Sequence, residues 1–111
     1  MSTFEIELTE KLTNIEFTKI YGEERAKVDF GITLTKARKL LDISQKDLAE
    51  QLGVTQPYIS KLEKGEANPT LGTIGTLLAI IGFRLTTDVV SLKPLDTSKI
   101  ITSSIPNIRK E

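Results

Sequence analysis

The sequence predicts an all-α fold of five helices followed by one short strand. Three observations carry that expectation. Apolar residues recur at steps of three and four through the segments 11–21, 23–41, 45–52, 55–64 and 70–81. Helix starts are marked by Ser44, Thr55 and Thr70, and helix ends by Gly53, Gly65 and Gly82. At 83–90 the spacing changes to two, with Phe83, Leu85, Thr87 and Val89 alternating against Arg84, Thr86, Asp88 and Val90.

The elements follow in order. Residues 1–10 stay open, because Phe4, Ile6 and Leu8 alternate with Glu5, Glu7 and Thr9 as a strand would. Leu12, Ile15, Phe17 and Ile20 fit helical spacing and predict a helix over 11–21 that ends near Gly22. The next helix covers 23–41, where Phe30, Leu34, Ala37 and Leu41 make one apolar stripe. Gly31 weakens it, so a start only after that residue is the alternative. Ser44 caps the helix 45–52, with Asp47 placed to favour the positive helix end, and Gly53 closes it. Thr55 caps the following helix, and Pro57 falls in its first turn, where the missing N–H costs nothing. Asn68-Pro69 makes a turn, and Thr70 caps a last helix with Leu71, Ile74, Leu78 and Ile81 inward. The lone strand must pair with the N-terminal stretch, a second copy or a partner protein. Beyond it the chain is rich in Ser and Thr, with Pro94 and Pro106 and no periodicity. The expected organisation is an extension over 1–22, a helical domain over 23–82, a strand over 83–90 and a flexible tail over 91–111.

Composition excludes several classes of function. The 111 residues include no Cys and no His, which removes disulfides, thiol nucleophiles, zinc-thiolate sites and the commonest general base. No cofactor and no metal site are expected. Ser60-Lys61 and the pair Ser44 and Lys46 are the nearest approach to a catalytic pairing, but neighbours so close in sequence do not face each other on a helix. The expectation is a binding protein, not an enzyme. The longest apolar run, Leu77 to Ile81, is far short of the ~20 residues of a membrane span. Glu5 and Glu7 stand where a signal peptide would be basic, so a cytoplasmic location is expected. Fifteen Lys and Arg balance fifteen Asp and Glu, but unevenly. Residues 1–35 carry a balance of −3 and residues 36–64 one of +2, a mild hint that the middle meets a polyanion.

Two short capped helices joined at a glycine turn form a helix-turn-helix. In this motif the first helix crosses the phosphate backbone, and the N-terminal end of the second enters the major groove. Leu48, Ala49, Val54, Ile59 and Leu62 supply the small core that sets the angle between them. Ala49 suits the crossing because a larger side chain there would push the helices apart.

At this point the sequence resembles the Xre/Cro-type repressors. The likeness runs from Leu34-Thr-Lys-Ala-Arg38 through Ile43-Ser-Gln-Lys-Asp-Leu-Ala-Glu-Gln-Leu-Gly53 and Val54-Thr-Gln-Pro-Tyr-Ile-Ser-Lys-Leu-Glu-Lys-Gly65 to Asn68-Pro-Thr-Leu71. It implies a five-helix, lambda-repressor-like fold in which Gln45 holds a phosphate while Gln56, Pro57 and Lys61 face base edges. It also implies a buried ion pair between Arg38 and Glu63. Asp42 departs from the glycine often seen at its turn, although Asp tolerates the left-handed conformation. The stretch from Asn14 to Phe30, and Ile81-Gly-Phe-Arg-Leu-Thr, are similar more narrowly to HigA-type antitoxins. Those carry an N-terminal helical extension, neutralise a toxin encoded beside them and repress their own operon. In related antitoxins a strand after the helical core pairs with its twin across a dimer, which would give Phe83, Leu85, Thr87 and Val89 that role.

The expected partner is therefore double-stranded DNA at a palindromic operator, read by a homodimer with recognition helices about 34–36 Å apart. Gln56 pairs well with adenine, Lys61 with guanine, and Pro57 offers an apolar contact to a thymine methyl. Lys46, Thr55, Tyr58 and Lys64 join Gln45 on phosphates. The acidic extension (Glu5, Glu7, Glu10, Glu16, Glu23, Glu24) would suit a small basic toxin. The alternatives are a stand-alone or prophage repressor without a toxin, and a protein-interaction module that has lost DNA binding.

Overall fold

The structure is a computed structural model that describes residues 3–11, 14–92 and 108–110. Among the described residues it is mainly helical: α1 (Thr3–Lys11), α2 (Ile15–Leu40), α3 (Gln45–Leu52), α4 (Gln56–Glu63) and α5 (Leu71–Ile80), with the strands β1 (Val89–Ser91) and β2 (Ile108–Lys110). The chain divides into two units, Lys19–Leu85 on one hand and Met1–Thr18 with Thr86–Glu111 on the other.

The unit Lys19–Leu85 holds the core. Leu34 of α2, Leu48 of α3, and Ile59 and Leu62 of α4 are wholly enclosed, and Leu77, Leu78 and Ile81 close the cluster from the α5 side. Phe30, Leu34 and Ala37 form the buried stripe of α2, whereas Leu41 lies past the helix end and is partly exposed. On α5 the buried face begins one turn later than the spacing suggests. Leu71, the first helical residue after the Thr70 cap, is 70% exposed, and Leu77 takes the inward place instead.

The helix α2 is continuous where the sequence suggested two helices. Gly22 lies inside it with open space around its Cα, and ion pairs Lys27–Glu24 (2.8 Å) and Arg25–Asp29 (3.1 Å) support the following turns. Gly31 also lies inside it, for a packing reason. A Cβ there would stand 2.5 Å from the Glu63 carbonyl oxygen and 2.7 Å from that of Leu62. The last turn of α4 thus rests directly on the α2 backbone, and only glycine leaves room. Gly65, at φ 75°, continues this contact, since a Cβ there would meet Val28 at 3.0 Å.

In the other unit, residues 3–11 are helical, not a strand. Asn14 starts α2 by accepting the Phe17 N–H at 3.1 Å. The strand is shorter than the alternation over 83–90 implied. Phe83 and Leu85 instead pack partly buried on the helical core, and the Phe83 N–H donates to the Leu78 carbonyl at 2.8 Å, capping α5. Thr87 is exposed and precedes β1, so of the four residues expected in a dimer strand only Val89 lies in one. Within the chain its partner is not the N-terminal stretch, which is helical. β1 pairs in parallel with β2 of the same chain, Val89 opposite Ile108 and Ser91 opposite Lys110. A parallel pair needs a connection of a dozen or more residues, and 92–107 supply that length. The flexible tail expected over 91–111 thus includes β2, and otherwise falls mostly on residues outside those described.

The two helical glycines of α2 predict opposite responses to one substitution. Gly22→Ala should stabilise the protein by about 0.5–1 kcal/mol through helix propensity. Gly31→Ala should destabilise it by about 1–3 kcal/mol, because the added methyl forces α4 away. Urea denaturation of both variants checks this, and equal effects would contradict the close approach.

Candidate nucleic-acid interface

The helices α3 and α4 are eight residues each, too short to persist alone, so caps and packing must define them. Ser44 and Asp47 form a reciprocal box: the Asp47 N–H donates to Ser44 Oγ at 3.0 Å, and the Ser44 N–H to the Asp47 carboxylate at 3.5 Å. Gly53 turns left-handed at φ 69°, and Val54 N–H returns to the Ala49 carbonyl at 3.0 Å. Thr55 then accepts the Tyr58 N–H at 3.2 Å, and Pro57 stands in the first turn. Among the described residues Asp42 is the non-glycine residue at positive φ (54°), in the turn that leads into α3.

With Ile59 and Leu62 buried, the opposite face of α4 carries Gln56, Pro57 and Lys61, all exposed. Thr55, Lys46 and Lys64 are exposed beside them. Tyr58, expected on a phosphate, is half-buried and packs against the core. Gln45 is half-buried as well, and its side chain is already engaged by Glu63.

Behind this face lies a shared carboxylate. Arg38 of α2 donates twice to Glu63 at the end of α4, Nε to Oε2 at 2.8 Å and Nη2 to Oε1 at 3.0 Å. Its Nη1 donates to the Ile43 carbonyl at 3.0 Å, holding the turn before α3. Gln45, the first residue of α3, donates Nε2 to Glu63 Oε1 at 3.2 Å. One carboxylate therefore ties three helices together. Its side chain is only 7% exposed. Burial pushes the Glu63 pKa up, but hydrogen bonds from Arg38 and Gln45 and the guanidinium charge outweigh it and hold the pKa below the ordinary 4.5. The hydrogen bond to Glu63 raises the Arg38 pKa in turn.

The Arg38–Glu63 pairing sits where the resemblance implied it. The link from Gln45 to Glu63 and the role of the Ile43 carbonyl have no signal in the sequence, since each depends on how the chain folds back. Among the described residues no group of His, Cys, Asp or Glu is placed to hold a metal ion, and no helix is long and apolar enough to cross a membrane.

Comparison with known proteins agrees with this geometry. Residues 34–87 match the family model described as helix-turn-helix, which covers α3, α4 and α5 with the end of α2. A segment of 49 residues is 49% identical to a Haemophilus influenzae protein named as an uncharacterized HTH-type transcriptional regulator. The match takes in 44% of this chain, and the chain spans about half (50%) of that relative's length. Residues 34–87 thus match a helix-turn-helix domain, in agreement with the arrangement of α3 and α4.

The shared carboxylate predicts a specific fault pattern. Arg38→Met should cost about 3 kcal/mol of stability, the low end of the range for a broken buried pair because part of the guanidinium still meets solvent. Because the Glu63 pKa is depressed by folding, its contribution is fully present above 4.5 and is lost as the pH falls through the folded value. The stability gap between the natural chain and Glu63→Gln should therefore narrow as urea titrations move from neutral pH to below 4.5. A gap that is constant with pH would show that the carboxylate charge contributes nothing.

Proposed function

We infer that the protein is a sequence-specific, DNA-binding transcriptional repressor that acts as a homodimer on a palindromic operator. The observation that carries this is the exposed face of Gln56, Pro57 and Lys61 on a capped helix whose opposite face is fully buried. The face offers an amide suited to adenine, an ammonium suited to guanine and an apolar ring for a thymine methyl. Lys46, Thr55 and Lys64 border it as phosphate contacts, with Gln45 at the start of α3. A two-fold pair would read two half-sites one helical turn apart. Selection of tight-binding duplexes from a random pool tests the reading directly: enriched inverted repeats support it, and enrichment of no sequence overturns it.

The finer reading is an antitoxin that neutralises a small basic toxin and represses its own operon. It is favoured by the acidic residues before the domain, Glu5, Glu7, Glu10 and Glu16, together with exposed Phe4 and Ile6 on α1. An acidic helix with apolar side chains suits a basic partner surface. Co-expression with the adjacent gene should give a complex that is lost when residues 1–22 are deleted. A chain that elutes alone, beside a neighbour harmless to the cell, leaves the plain repressor.

Gln56 and Lys64 should fail differently. Gln56→Ala should lose roughly 1–3 kcal/mol on the selected operator and relax preference at one base pair. Lys64→Ala should weaken all duplexes alike and reduce the salt slope by about 1. Equal loss on random and selected DNA would remove Gln56 from base reading.

A further inference from the structure

The hydrogen bond between Gln45 and Glu63 has a consequence for anion binding that goes beyond holding the helices together. A carboxylate can only accept hydrogen bonds, so Gln45 must turn its amino group, not its carbonyl, toward Glu63. One N–H of that amino group is spent on Glu63 Oε1, and the second remains to donate. The side chain is half-buried, not enclosed, and it belongs to the first residue of α3. There the free N–H groups of the first turn and the helix dipole already favour an anion. A free glutamine at this place would flip its amide and present either end. Arg38 completes the arrangement: by donating twice to Glu63 it neutralises a carboxylate that would otherwise repel a phosphate close by.

We propose that Glu63 is a positioning residue for DNA, orienting the Gln45 amide so that its second N–H donates to a backbone phosphate at the start of α3. The proposal rests on the DNA-binding reading above. It makes Glu63 act on binding through Gln45 and not only through stability. A neutral amide releases no counterion, so its loss lowers affinity without changing the salt slope, unlike the loss of a lysine.

The test is a double-mutant cycle on the full chain, using a short duplex of random sequence as probe and fluorescence anisotropy over a range of salt. Random sequence suffices because a phosphate contact does not depend on the bases. Gln45→Met, which keeps the shape and removes the amide, should weaken binding about tenfold with an unchanged salt slope. Glu63→Asp, which keeps the charge for Arg38 but withdraws it from Gln45, should weaken binding comparably in the natural background and have no effect beside Gln45→Met. Independent, additive losses, or full affinity in Gln45→Met, would overturn the proposal. A natural chain that binds neither this duplex nor any sequence enriched from a random pool removes the DNA-binding reading, and the proposal falls with it. Should Glu63→Asp not fold, the natural chain gives the answer by NMR. On adding duplex, one Gln45 side-chain N–H should shift strongly while the other, held by Glu63, moves little. Equal shifts, or none, would overturn the assignment.

Discussion

The Glu63 carboxylate is the joint on which the domain turns, because it accepts from Arg38 on α2 and from Gln45 on α3 while belonging to α4. Hydrophobic burial brings these helices together but has no preferred direction, and many crossing angles would enclose Leu48, Ile59 and Leu62 comparably. Hydrogen bonds of fixed geometry select one of them. Arg38 adds the Ile43 carbonyl to the same cluster, so the turn that precedes α3 is set by the group that sets the end of α4. The eight-residue α4 is thereby held at both ends, by the Thr55 hydroxyl at its start and by Glu63 at its finish.

Glycine at 31 extends the same constraint to the backbone. The Glu63 carbonyl lies where a Cβ would be, so α2 and α4 meet main chain to main chain at the residue whose side chain carries the ion pair. The close approach and the charged contact reinforce each other. Any shift of α4 that relieved one would break the other, which is a reason for the pair to act as a geometric device more than as a source of net stability. Gly65 repeats the principle against Val28 just beyond the end of the helix.

Legibility in the sequence followed the range of the interactions. Caps at Ser44, Thr55 and Thr70 are local, each closing between a residue and the third one after it, and are readable with their glycine stops. The exposed face of Gln56, Pro57 and Lys61 follows from the burial of Ile59 and Leu62, which the helical period makes visible. Gly22 looks like a stop because the sequence does not show whether a glycine ends a helix or is merely carried along within one. Phe83 and Leu85 mimic a strand because a segment lying across a core also buries alternate residues. The pairing of Val89 with Ile108 and the bond from Gln45 to Glu63 join distant residues, and no local pattern announces them.

The balance of charge gives the proposed DNA reading a particular character. With fifteen cationic and fifteen anionic side chains, and an excess of only two positive charges over 36–64, the domain has little of the long-range attraction that supports non-specific binding. Several groups assigned to the interface are neutral: Gln45, Thr55, Gln56 and Pro57. Neutral donors and acceptors act only at contact distance and only in the right orientation. A domain built this way would hold random DNA weakly and lose little to it, while a matched site satisfies every group at once. Discrimination would then rest on how rigidly α3 and α4 are held. That rigidity depends on Glu63, where the orientation of one enclosed carboxylate governs the alignment of the surface.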